Sequence, residues 1–139
     1  MATTIHVDIV SAEGQIFSGE ANSVFAPGSQ GELGIWPRHA PLLTTLKAGE
    51  VRIQVEGQAE QVFYVGGGVM EVQPHQVSVL ADTAARAQDL DEAAAVAARQ
   101  RAEEAVRGRT DKVEIAEAQA ELMRAVAQLK AIQSLRKKR

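Results

Sequence analysis

Apolar and polar residues alternate along the first part of the chain and recur at three- to four-residue intervals along the last third. Ile5, Val7 and Ile9 alternate with His6 and Asp8, the period that turns one face of a strand toward a core. Ile16 and Phe17 precede Gly19, and Ser23-Val24-Phe25-Ala26 reads as a short strand ended by the turn pair Pro27-Gly28. Val51, Ile53 and Val55 alternate with Arg52 and Gln54, and Glu56-Gly57 predicts a hairpin turn into Val62-Phe63-Tyr64-Val65. Val69 and Val72 flank a further segment, which Pro74-His75 turns into Val77-Ser78-Val79-Leu80. Short strands with such regular turn signals predict an antiparallel sandwich or barrel.

Near residues 82–89 the pattern changes. All four prolines and ten of the eleven glycines lie before it, and only Gly108 interrupts the Ala-, Glu-, Arg- and Gln-rich remainder. Asp89 is placed to cap a helix, with Glu92 three positions on in the manner of a capping box. Ala93, Ala97, Ala98, Ala102 and Ala105 follow at helical spacing, and Gly108 suits the left-handed position that ends a helix. Thr110 or Asp111 starts a second helix, whose stripe Ile115, Ala118, Leu122, Ala125, Leu129 and Ile132 has the spacing of a coiled-coil seam. The pattern predicts an antiparallel β-sandwich over residues 1–86, then an antiparallel two-helix hairpin over 87–139. Alanine offers little area, so a hairpin held by it is either a tightly packed pair or one able to detach without unfolding the sandwich.

Composition narrows the chemistry. The chain has 139 residues, 45% hydrophobic but only 4% aromatic, and no cysteine, which excludes disulfides, thiolate metal sites and thiol catalysis. The N-terminal residues lack the basic and apolar regions of a signal segment, and no stretch is long and apolar enough to span a bilayer. Residues 1–88 carry four Lys/Arg and nine Asp/Glu, a balance of −5; residues 89–139 carry eleven and nine, a balance of +2. The basic tip Arg136-Lys137-Lys138-Arg139 is either a solvated tail or a contact for an acidic partner.

Catalytic constellations do not emerge. Gly66-Gly67-Gly68 lacks the Lys-Ser/Thr of a phosphate-binding loop and reads as a bulge or close backbone approach. His6, His39 and His75 share no metal-ligand spacing, no serine sits in a nucleophile elbow, and Glu103-Glu104 reads as solvated helix charge. Residues 28–43, with three glycines, two prolines and the single tryptophan, form an unusual loop. It is either an irregular connection capping the core or a docking edge, in which Trp36 and Arg38 are of the types enriched at interfaces.

Four ordered segments carry a resemblance. Gly31-Glu32-Leu33-Gly34-Ile35-Trp36-Pro37-Arg38-His39-Ala40-Pro41-Leu42-Leu43 comes first, then Tyr64-Val65-Gly66-Gly67-Gly68-Val69-Met70-Glu71-Val72-Gln73-Pro74. Val79-Leu80-Ala81-Asp82-Thr83-Ala84 and Asp89-Leu90-Asp91-Glu92-Ala93 complete the order. Together they resemble the epsilon subunits of bacterial F-type ATP synthases, over nearly the whole chain. The resemblance implies a sandwich of about ten strands followed by two helices, in a non-catalytic central-stalk subunit. That subunit couples proton translocation to ATP synthesis and restrains ATP hydrolysis through its helices. The sandwich would bind a gamma subunit and sit on the ring of c subunits, with Glu32 facing the polar loops of the ring, His39 nearby, and Trp36 and Arg38 in the same docking loop.

The same resemblance implies that the hairpin adopts folded and extended forms. Extended, it would meet beta and alpha subunits, with Arg124, Lys130, Arg136, Lys137, Lys138 and Arg139 facing an acidic stretch. Some relatives bind ATP on the folded hairpin through an Ile/Leu-Asp-x-x-Arg-Ala motif. Here Asp91, Arg101 and Arg124 match, but Ala94 and Gln128 stand where arginines are expected. ATP binding by the isolated chain is therefore expected to be weak or absent, with no other cofactor and no metal. The resemblance also implies a peripheral protein at the cytoplasmic face of the bacterial inner membrane, without membrane insertion. Three other readings are a ligand-binding sandwich with a helical dimerisation tail, a small enzyme and a nucleic-acid binder. The few aromatics, the missing constellations and the acidic remainder weigh against each in turn.

Overall fold

The computed structural model describes residues 3–108 and 112–137. Eight strands come first: β1 (Ile5–Ser11), β2 (Gly14–Ala21), β3 (Ser23–Gly28), β4 (Gly31–Ile35), β5 (Leu42–Gln54), β6 (Gln61–Gln73), β7 (Gln76–Ala81) and β8 (Ala84–Arg86). A 3₁₀ turn, Ala87–Asp89, leads into α1 (Glu92–Gly108) and α2 (Lys112–Lys137). The strands run in the order β2-β1-β7-β6-β5-β3-β4, with β8 added to β6. The pairing is antiparallel except between β1 and β7, which run parallel. Eight strands stand for the expected ten or so because β5 and β6 are single runs of 13 residues each.

β6 changes partner midway. Its first half pairs with β8 (Tyr64 opposite Ala85) and its second with β7 (Met70 opposite Val79). Gly67 and Gly68 stand at the switch with φ of 103° and 142°. A Cβ on Gly68 would lie 2.2 Å from the Leu80 carbonyl oxygen, so the triple glycine is the close backbone approach that its sequence suggests. The core inside this sheet is aliphatic: Ile5, Val7 and Ile9 from β1, Val51 and Ile53 from β5, Val77 and Val79 from β7, all fully buried. Phe63 joins them and meets Phe17 edge to face at 5.4 Å. The alternation of β1 is thus the inward face that it predicts.

Several local expectations are corrected. Pro27-Gly28 does not end β3; the strand runs through both, and the turn falls at Ser29 and Gln30. Pro27 is tolerated because the β3–β5 register breaks between Phe25 and Gly28, where no ladder N–H is needed. Half of the supposed long loop is therefore the β3–β4 hairpin, leaving residues 36–41 irregular. Asp89 belongs to the 3₁₀ turn, and Asp91 caps α1, its Oδ1 accepting from the Ala94 N–H at 3.4 Å. Ala97 is exposed, and among the described residues of α1 the buried positions are Ala95 and Ala102. Gly108 ends α1 without the left-handed conformation, which among the described glycines occurs elsewhere. The expected start of the second helix at Thr110 or Asp111 lies outside the described residues.

Candidate docking surfaces and the hairpin junction

α2 has two apolar sides. Ala118, Ala125, Leu129 and Ile132 are buried along one, and the last two pack on Ala95, Val96 and Leu90 at the start of α1. The start of α1 thus lies by the end of α2, so the helices are antiparallel. Ala127, nine residues beyond Ala118, is two and a half turns away and faces the other side at about 3.6 residues per turn. With Ala131 and Leu135 it packs on Val62, Tyr64, Ala48 and Ala87. α2 therefore lies between α1 and the sandwich, and the hairpin is folded against it. This second stripe, at i, i+4 and i+8, was open to sequence reasoning, but the coiled-coil seam on the opposite side masked it.

The junction carries few polar contacts for its length. Ser134 Oγ donates to Glu50 Oε1 at 2.8 Å. The Tyr64 ring is buried against α2; burial pushes its pKa up, opposed by nearby Thr83 and Gln128 and by the Arg124 charge. Among the described residues none reaches the Tyr64 hydroxyl at hydrogen-bonding geometry. Gly66 makes room here, since a Cβ on it would stand 2.2 Å from Thr83 Oγ1 and 2.9 Å from the Tyr64 hydroxyl.

The four candidate docking residues do not form one cluster. Glu32 projects from β4 and pairs with Arg52 of β5, which lies 4.8 Å over the Phe25 ring and approaches Glu60 at 4.0 Å. Phe25 in turn meets Trp36 edge to face at 5.5 Å. Glu32, Arg52, Phe25 and Trp36 thus form a continuous outer stripe, in which Trp36 is 54% exposed. Gly34 lies beneath it, where a Cβ would be 2.7 Å from Trp36 Cζ3. Arg38 takes φ 67° and donates its backbone N–H to the Pro74 carbonyl at 2.8 Å, tying the loop to the β6–β7 turn. Trp36 and Arg38 share a cleft with Thr3 and Asn22, whereas Glu32 lines the groove beside α2. The His39 ring meets the Ala40 carbonyl at 2.7 Å. Arg52, the hub of the stripe, was readable only as a polar position in an alternating strand.

In the hairpin, Arg101 and Arg124 line one recess between α1 and α2 with Gln128 and Glu121. Asp91 is not among those lining residues and acts as the cap of α1. The recess thus sets two arginines beside one carboxylate. Lys130 is exposed and lines the groove beside the sandwich. The side chains of Arg136 and Lys137, and all of Lys138 and Arg139, lie outside what is described. Among the described residues no group of side chains has metal-binding geometry, and no helix is long and apolar enough to cross a membrane.

Residues 4–87 match the family model described as ATP synthase, Delta/Epsilon chain, beta-sandwich domain, and residues 88–133 that of the long alpha-helix domain. The chain is 64% identical over 138 residues to the ATP synthase epsilon chain of Nitrosococcus oceani, covering 99% of each. It is 58% identical over 139 residues to ATP synthase epsilon chain 1 of Methylococcus capsulatus, covering 100% of this chain and 99% of the relative. Among solved structures, a chain of the Euglena gracilis mitochondrial ATP synthase OSCP/F1/c-ring superposes with a TM-score of 0.82 at 16% identity, covering 93% of this chain and 81% of that one. A chain of the Tetrahymena thermophila mitochondrial ATP synthase central stalk and c ring gives 0.67 at 14% identity, covering 94% and 97%. Matched through both its sandwich and its helices, this chain belongs to the ATP synthase Delta/Epsilon chain family and groups with the bacterial epsilon chains.

Proposed function

We propose that the chain is a non-catalytic rotor subunit of a bacterial F-type ATP synthase. Its sandwich holds a gamma subunit and the c ring, and its hairpin restrains ATP hydrolysis when it leaves the sandwich. The observation that carries this reading is the match to bacterial epsilon chains along the full length, sandwich and helices together. In this reading residues 1–86 dock and residues 87–139 regulate, a division one residue from the boundary between the two family-model matches, 4–87 and 88–133. A torque-bearing contact needs shape and fixed polar groups, which the Glu32–Arg52–Phe25–Trp36 stripe and the tethered Arg38 loop supply.

Switching follows from the junction. Among the described residues, α2 meets the sandwich through Ala127, Ala131 and Leu135 and one side-chain hydrogen bond from Ser134, whereas the sandwich keeps its own core. The hairpin can leave without opening that core. Extended, its basic residues Arg124, Lys130, Arg136, Lys137, Lys138 and Arg139 would meet an acidic surface of the beta and alpha subunits. The position on the membrane is peripheral, at the cytoplasmic face. The experiment is a pull-down with gamma subunit and c ring, repeated after deletion of residues 89–139. The shortened chain is expected to assemble and couple, with hydrolysis less restrained; loss of assembly would defeat the division of labour.

The isolated chain binds ATP weakly or not at all, because Ala94 and Gln128 supply no cation beside Arg101 and Arg124. NMR shifts of the hairpin during an ATP titration measure this; saturation well below about 1 mM, a binding energy near 4 kcal/mol, would contradict it.

A further inference from the structure

A groove of about 800 Å³ separates the sandwich from α2. Pro27, Ala48 and Gly49 form one wall and Leu122, Met123 and Val126 the other. Its size falls within the range of small-molecule sites, about 300–1,000 Å³. Met123 is 51% exposed here, so apolar surface stays uncovered although the hairpin is folded.

The charges within the groove are not equivalent. Glu32 is paired with Arg52, and Glu50 accepts from Ser134. Lys47 of β5 and Lys130 of α2, both exposed, line the groove from its two walls and have no ion-pair partner among the described residues. With Glu32 matched by Arg52, the groove sets two ammonium groups against the single Glu50 carboxylate, and this net positive lining over an apolar floor suits a ligand with an apolar body and an acidic head. We infer that the groove binds a small amphipathic organic anion, its body on Leu122, Met123 and Ala48 and its acid between Lys47 and Lys130. One wall belongs to each domain, so the site exists only while α2 is docked. A ligand that binds only this form stabilises it by mass action. Occupancy therefore holds the hairpin folded and, resting here on the proposed inhibitory role, relieves restraint of hydrolysis.

The test uses the full chain and two fluorescent probes of similar shape. 1-Anilinonaphthalene-8-sulfonate carries the acidic head, and N-phenyl-1-naphthylamine lacks it. The anionic probe is expected to bind at one site and to increase hydrogen-exchange protection of α2. Lys47→Gln with Lys130→Gln weakens it about tenfold, the scale of a lost charged hydrogen bond, and changes the neutral probe less than about twofold. Met123→Glu, at an exposed position, weakens both probes. Unchanged anionic binding in either variant would place the probe elsewhere and overturn the inference. So would loss of the site on assembly with gamma subunit, which would identify a protein segment as the occupant. Failure of the inhibitory role shows separately, as hydrolysis unchanged by deletion of the hairpin while probe binding to the intact chain persists.

Discussion

His6 of β1 uses both ring nitrogens, reaching Glu20 and Ser18 on the neighbouring strand β2 and Asp8 on its own strand. Nδ1 lies 2.8 Å from Glu20 Oε2 on β2, and Nε2 3.1 Å from Asp8 Oδ1 on β1. Ser18 approaches Nε2 from β2, while Gln76 of β7 donates to the other Asp8 oxygen at 3.1 Å. A neutral imidazole donates from only one nitrogen; the cation donates from both. The Glu20 hydrogen bond leads in raising the His6 pKa, helped by Asp8. A raised folded value means that the contribution to stability is complete below the unfolded value of about 6.5 and is lost as pH rises through the folded value. Asp8 has the opposite sign: with hydrogen bonding from Ser18 foremost and His6 assisting, its pKa is lowered, and its contribution is lost only as pH falls into the acid range. NMR titration is expected to place His6 above the ordinary histidine value and Glu20→Gln to bring it down. An unchanged titration in that variant would remove Glu20 as the cause. At Gly68, φ of 142° and the Leu80 carbonyl together forbid a side chain. Gly68→Ala is expected to cost at least about 2 kcal/mol in urea unfolding.

At the scale of elements, α2 holds the hairpin to the sandwich with small side chains. Ala131 is fully buried in that contact, so Ala131→Glu would place a carboxylate against Val62 and Tyr64. Detachment lets the carboxylate reach water, so this substitution is expected to open the hairpin and leave the sandwich folded. Hydrogen exchange should accelerate in α2 but not in β1 or β7; acceleration throughout would mean that the two parts unfold together. Ser134→Ala removes one hydrogen bond to Glu50 and should cost about 1 kcal/mol of docking.

What the sequence revealed divides along the same elements. β1 and the Pro74-His75 turn were legible because a two-residue period and a two-residue turn are local signals. The seam of α2 was legible for the same reason at Ala118, Ala125, Leu129 and Ile132, whereas Leu122, counted in the same stripe, lines the groove on the sandwich side. Pro27 inside β3 was not, because its tolerance depends on a register break against β5, a strand well separated in sequence. Asp89 and Asp91 carry the same capping chemistry, and the 3₁₀ turn, held by the Leu90 N–H to the Ala87 carbonyl, decided between them. The docking residues were legible as types, but not in their grouping. Glu32 turns to Arg52 because strands β4 and β5 flank the same β3, a fact of topology and not of spacing.

At the scale of the molecule, the halves carry opposite balances, −5 before residue 89 and +2 from there on, so charge attraction and apolar contact both favour the folded hairpin. Their shares differ. The ion pairs of Arg52 and His6 lie inside the sandwich, and Arg99–Glu103 lies along α1. The junction itself rests on Val62, Tyr64, Ala87, Ala127 and Ala131. Exposed charges at a distance are screened over about 8 Å at physiological salt and 3 Å at 1 M. Burial of apolar area, at about 25 cal/mol per Å², is not screened by such salt. Opening should therefore respond weakly to sodium chloride and strongly to apolar lesions. Between 0.05 and 0.5 M salt, opening measured by hydrogen exchange of α2 is expected to change by less than about threefold, the scale of a surface charge term. Ala131→Glu is expected to change it by more than about tenfold, since even about 1.4 kcal/mol at the junction has that effect. The reverse ranking would make the hairpin an electrostatic latch, governed by its basic face and not by its alanines.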